Sequence, residues 1–107
     1  MADLELTQGD TAPDIQYKLH EAGNPNAPLD LTGATVAFQM RKPDDRRYTV
    51  NAQATVDADP TTGLVTYEWG PNDLAVPGEY QGQFEVTYQD GKIQTTKTPF
   101  TIEVRRQ

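Results

Sequence analysis

Apolar and polar residues alternate along most of this chain, so that apolar side chains recur at every second position. Successive side chains of a strand point to opposite faces of a sheet, and each alternating segment therefore predicts a strand with one dry and one wet face. The longest segment places Tyr80, Gly82, Phe84, Val86 and Tyr88 on the dry face. The other predicted dry positions are Ile15, Tyr17, Leu19, Val36, Phe38, Met40, Tyr48, Val50, Ala52, Ala54, Val56, Val65, Tyr67, Trp69, Phe100, Ile102 and Val104.

Strands with one dry face are typical of antiparallel sheets, whose dry faces must be covered, most simply by a second sheet. Turn residues separate the predicted strands at 59–63 and at Pro77-Gly78, and Asp90-Gly91 predicts a two-residue hairpin. The pattern predicts an all-β fold, an immunoglobulin-like antiparallel β-sandwich of about seven strands. The length of 107 residues fits a single domain spanning 1–107.

Two dry positions carry additional expectations. A glycine inside a strand weakens it, so Gly82 indicates either a bulge or the close approach of another group. Tyr80 follows Pro77-Gly78-Glu79 at the start of the longest strand. That placement is typical of a tyrosine corner, in which the hydroxyl bonds to backbone a few residues upstream.

Composition excludes several classes of partner. The formal net charge of −7 repels phosphate backbones, which argues against nucleic-acid binding. No apolar run approaches the roughly 20 residues that span a bilayer, and the start at Met1–Glu5 lacks the features of a signal peptide. We therefore expect neither nucleic acid nor membrane as a partner, and synthesis in the cytoplasm.

Side chains that commonly carry catalysis are scarce. The chain has no serine and no cysteine, which removes the usual nucleophiles and any cysteine metal site, and His20 is its one histidine. The candidate carboxylates are Asp44-Asp45, Asp57 with Asp59, and Asp73, and all fall in predicted turns, where aspartate bonds nearby amides. We expect no catalytic, cofactor-binding or metal-binding residue, and no enzyme activity.

One predicted loop offers interface chemistry. Acidic and basic residues stand side by side between two predicted strands, and arginine and tyrosine are enriched at protein interfaces. The predicted protein-contact loop consists of Asp44, Asp45, Arg46, Arg47 and Tyr48. A hairpin loop that is merely solvated would show the same mixture of charges, so both interpretations stand.

Four segments occur in order and span nearly the whole chain: Leu4–Pro13, Leu29–Arg41, Gly63–Trp69 followed by Pro77–Tyr80, and Gly82–Lys92. Together they resemble the amino-terminal domain of the phage baseplate upper protein family. The resemblance implies an immunoglobulin-like module in the tail or baseplate of a tailed bacteriophage. It also implies a virion location, docking on other virion proteins with self-association as a further option, and no catalytic residue.

Two other functions remain open at this stage. A carbohydrate- or cell-surface-binding sandwich would need solvent-facing aromatic side chains, yet Tyr17, Tyr48, Tyr67 and Trp69 fall mostly on predicted dry faces. An enzyme using carboxylates alone would need a deep pocket lined by two facing carboxylates.

Overall fold

The computed structural model describes residues 4–12, 14–21, 26–95 and 100–107. Strands are the main regular elements of these residues, and a single 3-10 turn, Pro60–Thr62, lies between two of them. The strands are β1 (Leu4–Thr7), β2 (Ile15–Lys18), β3 (Thr35–Arg41), β4 (Val50–Val56), β5 (Leu64–Tyr67), β6 (Gly78–Thr87), β7 (Ile93–Thr95) and β8 (Phe100–Arg105).

These strands are hydrogen-bonded in the order β1-β8-β6-β3-β4-β5-β2, and β7 pairs with the far end of β6. The predicted all-β, immunoglobulin-like class is confirmed. The described residues form eight strands, against the expected number of about seven. One pair, β1 with β8, is parallel, whereas the prediction was entirely antiparallel. A parallel pair forms here because β1 and β8 are far apart in the chain and no hairpin joins them.

Strand β4 belongs to both halves of the curled sheet. Its first part, Val50–Ala54, pairs with β3, and its last residues, Thr55 and Val56, pair with β5. The sheet therefore folds over at β4, and β5 and β2 face the larger half formed by β1, β8, β6 and β3. This arrangement covers the dry faces in the way the periodicity requires.

Aromatic rings fill the space between the two halves. Phe38 lies at the centre, with ring centroids 4.7 Å from Tyr67, 5.5 Å from Phe84 and 5.6 Å from Trp69. Burial of a side chain as large as Phe38 or Phe84 contributes roughly 1.5–3 kcal/mol. Most predicted dry positions are confirmed as buried, including all those of β3, β6 and β8 and all of β5 up to Trp69.

Three predicted dry positions are exposed instead. Ala52 is exposed, and among the described strands β5 pairs only with the last residues of β4. Tyr17 is 38% exposed because β2 is the last strand of its half, and the ring closes the open side against Phe84 and Phe100. Tyr48 is 41% exposed because β4 begins only at Val50, which leaves Tyr48 in a loop.

Both expectations for the longest strand are met. Gly82 lies opposite Phe100, and a Cβ atom there would come within 2.8 Å of the phenyl ring, so the glycine marks a close approach. Tyr80 is 1% exposed, and its hydroxyl donates a hydrogen bond of 2.6 Å to the carbonyl of Val76. This is the geometry of a tyrosine corner at the start of β6.

The hairpin predicted at Asp90-Gly91 forms between β6 and β7, but its loop is longer than two residues. Tyr88 N donates to Lys92 O at 2.8 Å, which leaves 89–91 as the loop. Gly91 adopts φ +89° and its N–H donates to Tyr88 O at 2.9 Å. A turn followed by a left-handed glycine is the usual three-residue hairpin, and it places Gly91 at the position that needs positive φ.

Candidate protein-contact surface

The predicted contact loop connects the end of β3 to the start of β4, and its five residues lie together as the sequence predicts. Residues 42–49 are all exposed. The backbone is nevertheless fixed at both ends: Asp45 N donates to Lys42 O at 3.0 Å, and Thr49 N donates to Met40 O at 2.7 Å. In the middle, Arg47 N donates to the Asp45 carboxylate at 2.9 Å. Asp45 therefore shapes the loop, a local role that aspartate commonly plays in turns.

The remaining charged side chains of the loop face solvent. Within the described ranges, Asp44, Arg46 and Arg47 form no ion pair with each other or with a neighbouring strand. Their charges are thus presented on a backbone that is already ordered. A partner that met them would spend little free energy on ordering the loop.

A row of amide side chains supports the loop. The alternation of apolar and polar residues does not reveal this row. On the outer face of the larger half, Gln83 Nε2 donates to Gln39 Oε1 at 2.8 Å, and Gln39 Nε2 lies 3.4 Å from Asn51 Oδ1. Gln83 Nε2 is also 3.4 Å from the Tyr48 hydroxyl. Gln39 is only 5% exposed although it points away from the core. The row therefore ties three strands and the contact loop together.

The candidate acid–base carboxylates serve local structure. Asp57 accepts from Asp59 N at 3.1 Å, and Asp59 accepts from Thr61 N and the Thr61 hydroxyl at 3.1 and 2.6 Å. Among the described residues, no group of three or more potential metal ligands lies together.

Asp73 binds the β5–β6 connection to the core. Its carboxylate accepts from the Tyr67 hydroxyl at 2.5 Å and from Gly70 N at 2.7 Å. Burial raises the pKa of Tyr67 above its ordinary value, and the hydrogen bond to Asp73 raises it further. The arrangement fixes the turn that follows β5.

A shallow depression of about 450 Å³ lies where β4 leaves β3 to join β5. It is lined by Ala34, Thr35, Gln53, Ala54, Thr55 and Val56. None of these side chains ionises near neutral pH. His20, the other candidate for proton transfer, is exposed, and its Nδ1 lies 3.0 Å from the Glu21 carbonyl.

Comparison with protein families decides the relationship. The sequence profile of the BppU N-terminal domain matches residues 4–106. The chain belongs to this family. It is the amino-terminal domain family of baseplate upper proteins, so the predicted resemblance is confirmed and the chain is placed among the structural components of phage virions. The chain matches none of the curated protein sequences.

A solved structure of another protein is similar to this chain in its fold. The crystal structure of CopC from Methylosinus trichosporium OB3b is similar to this chain with a TM-score of 0.55 and 13% sequence identity. The similarity covers 99% of this chain and 86% of that one. At this identity the likeness shows a shared fold alone.

The aromatic side chains of this BppU-type domain do not form a joint platform. Tyr67 and Trp69 are each only 5% exposed. Tyr17 rests on the inner rings of Phe84 and Phe100, whereas the Tyr48 hydroxyl meets Gln83 on the outer face. The sheet thus separates the two exposed tyrosines. Over the described residues, there is also no helix long and apolar enough to cross a membrane.

Proposed function

We propose that this chain is a non-enzymatic structural adaptor in the tail or baseplate of a tailed bacteriophage. In this proposal it docks on other virion proteins through the contact loop, Asp44–Tyr48. It is made in the host cytoplasm and acts as one domain within the virion. Membership of the BppU N-terminal domain family supports the virion role. The observation that carries the docking proposal is the exposed loop whose backbone is held in place before any partner arrives.

The electrostatics of the loop suit docking better than solvation alone. The chain has a net charge of −7, and Arg46 and Arg47 are adjacent and exposed. Charged groups at the rim of an interface steer association and select partners. Tyr48 adds a large, rigid side chain whose hydroxyl is held near Gln83. An acidic surface on the partner would complement the two arginines.

The absence of catalysis is supported by the chemistry of the side chains. Serine and cysteine do not occur in the sequence. The carboxylates that would remain for acid–base work accept hydrogen bonds from their own turns, as Asp59 does from Thr61 and Asp73 does from Tyr67.

Binding to the tail and baseplate proteins of the same phage tests the proposal. Each of these proteins is immobilised in turn and exposed to the purified chain in a biolayer interferometry experiment. We expect at least one to bind. The triple variant Arg46→Ala, Arg47→Ala, Tyr48→Ala should weaken that binding by about thirtyfold, the loss expected when interface hot spots are truncated.

A control variant at the opposite end of the sheet separates loop contacts from general effects. Lys92→Ala with Ile93→Ala removes an exposed cation and the most exposed large apolar side chain, which is 63% exposed. Binding should be unchanged in this variant. Equal binding by the loop variant and the wild type would remove the loop from the interface. Failure to bind any tail protein would reject the docking role.

A further inference from the structure

One edge of the sheet is uncovered along the middle of β4. Strand β3 pairs with one side of β4 from Val50 to Ala54. On the other side, β5 pairs only with Thr55 and Val56. Among the strands that the structure describes, none pairs with that other side before Thr55. This uncovered side is called the β4 edge below.

The phase of hydrogen bonding shows which residues present their peptide groups at the β4 edge. Residues that bond to one side of an antiparallel strand alternate with those that bond to the other. Asp57 N, just past β4, donates to Leu64 O of β5 at 3.0 Å. Asn51 and Gln53 are in phase with Asp57 and point the same way. Their N–H and C=O groups are therefore available to another strand.

The β4 edge lacks the features that normally block strand addition. Proteins protect such edges with charged residues, prolines or bulges. The seven residues of β4 include no charged residue and no proline. Asn51, Ala52 and Gln53 are all exposed. The two strands at the ends of the sheet differ: β1 carries Glu5, which pairs with Arg105 at 2.6 Å, and β2 carries Lys18.

We propose that the β4 edge pairs antiparallel with the β4 edge of a second copy of this chain. Charge complementarity favours a second copy as the occupant. Arg46 and Arg47 are the charged residues nearest to the start of the edge, and Asp57 and Asp59 follow its end. In an antiparallel pair about Ala52, Arg47 of each copy comes next to Asp57 of the other. A two-fold axis repeats this contact, so opposite charges meet at both ends of the paired strands.

The side chains of the edge are compatible with the same axis. A two-fold axis near Ala52 sets Asn51 of one copy opposite Gln53 of the other, and both sides of the axis then carry this pair. Uncharged amides directly opposite one another can hydrogen-bond, while like charges there would repel. Such pairing extends the larger half of the sheet through two copies. It does not rest on docking to other virion proteins.

Light scattering after size exclusion tests the self-pairing. At about 100 μM the wild type should elute as a dimer if the Kd is micromolar. Gln53→Glu is isosteric and adds a negative charge to the centre of the edge. It should raise the Kd by about tenfold or more. Gln53→Pro replaces an N–H that points to the edge with a ring carbon and should prevent the dimer. Tyr48→Ala, outside the edge, is the control and should leave it intact.

A charge exchange tests the antiparallel arrangement. Arg46→Glu with Arg47→Glu, and separately Asp57→Lys, should each weaken self-pairing because like charges then face each other. A mixture of the two variants should form a heterodimer, since the introduced glutamates of one copy meet the introduced lysine of the other only across the pair. Slower hydrogen exchange at Asn51 and Gln53 in the dimer would support the same edge.

Three results would overturn the proposal: a monomer at this concentration, a dimer that is indifferent to both Gln53 variants, or failure of the mixed variants to pair. Capture of an extended segment from another protein by the β4 edge, with the chain itself monomeric, would also reject a second copy as the occupant. Gln53→Glu keeps Arg46, Arg47 and Tyr48, so it should weaken self-pairing and leave virion-protein binding unchanged. Loss of virion-protein binding and loss of self-pairing can therefore be scored separately.

Discussion

Replacement of Gly63 by alanine should destabilise the fold more than any replacement made on propensity alone. Gly63 follows the 3-10 turn at φ +71°, a left-handed conformation that costs an L-residue about 1–2 kcal/mol. A Cβ atom there would lie 2.3 Å from the Leu19 carbonyl oxygen, which is backbone and cannot rotate away. That oxygen accepts from Leu29 N at 3.0 Å, and Leu19 N donates to Gly63 O at 2.8 Å.

Displacement of Leu19 disturbs both hydrogen bonds, which contribute about 1 kcal/mol each. Alanine also restricts the unfolded chain, which offsets about 0.4–1 kcal/mol. The net loss for Gly63→Ala is then about 3 kcal/mol. For a domain of this size, that corresponds to a decrease in Tm of about 12 °C.

Gly91→Ala is the matched control. Gly91 has a similar φ of +89°, but a Cβ atom there meets nothing within 4 Å. Only the conformational cost remains, so the loss should be about 1 kcal/mol. Urea unfolding of both variants and the wild type, followed by circular dichroism, gives the comparison. Equal midpoints for the two variants would refute the assigned contact between Gly63 and the Leu19 carbonyl.

Three further replacements probe the core and the tyrosines. Gly82→Ala should lower the free energy of unfolding by about 1–3 kcal/mol in urea, because its Cβ meets the Phe100 ring. Adding Phe100→Leu should recover part of this loss. No recovery would contradict the close approach. Tyr80→Phe removes the hydroxyl bond to Val76 O and should cost about 1 kcal/mol, again by urea unfolding; an unchanged midpoint would show that the corner contributes nothing. The raised pKa of Tyr67 means that its contribution to stability is complete below its ordinary pKa near 10 and is lost as pH rises through the folded value. Tyr67→Phe should therefore flatten the alkaline decrease in Tm, and an unchanged slope would assign that decrease to other groups.

The positions of the core residues could be predicted from the sequence because alternation is a local property. Phe38 and Phe84 are buried whichever strand lies beside them, since each strand has one face that avoids water. Ala52 shows where the pattern fails. Its side chain points inward, but burial also requires an element above it, and β5 is too short to reach that far.

That Asp44–Tyr48 lie together was predictable for a related reason, since contiguous residues stay together in any fold; their role in protein contacts stays a prediction. The amide row was not predictable. Gln39 and Gln83 are 44 residues apart, and their contact depends on the register between β3 and β6. The chain gives each glutamine only a polar position on a strand. Which polar positions meet is decided by strand order, which alternation does not determine.

The β4 edge also follows from the strand order, which the local alternation of residues does not determine. A strand that lay wholly within one half of the sheet would have been covered or would have ended the sheet with protective charges. β4 instead leaves β3 after Ala54 to pair with β5, because only this crossing closes the two dry faces over Phe38. The crossing separates the partner strands and leaves Asn51 and Gln53 unpaired on one side. Burial of the core and exposure of a neutral edge are therefore produced by one backbone feature. A longer β5 that paired as far back as Asn51 would cover the β4 edge and remove the proposed self-pairing.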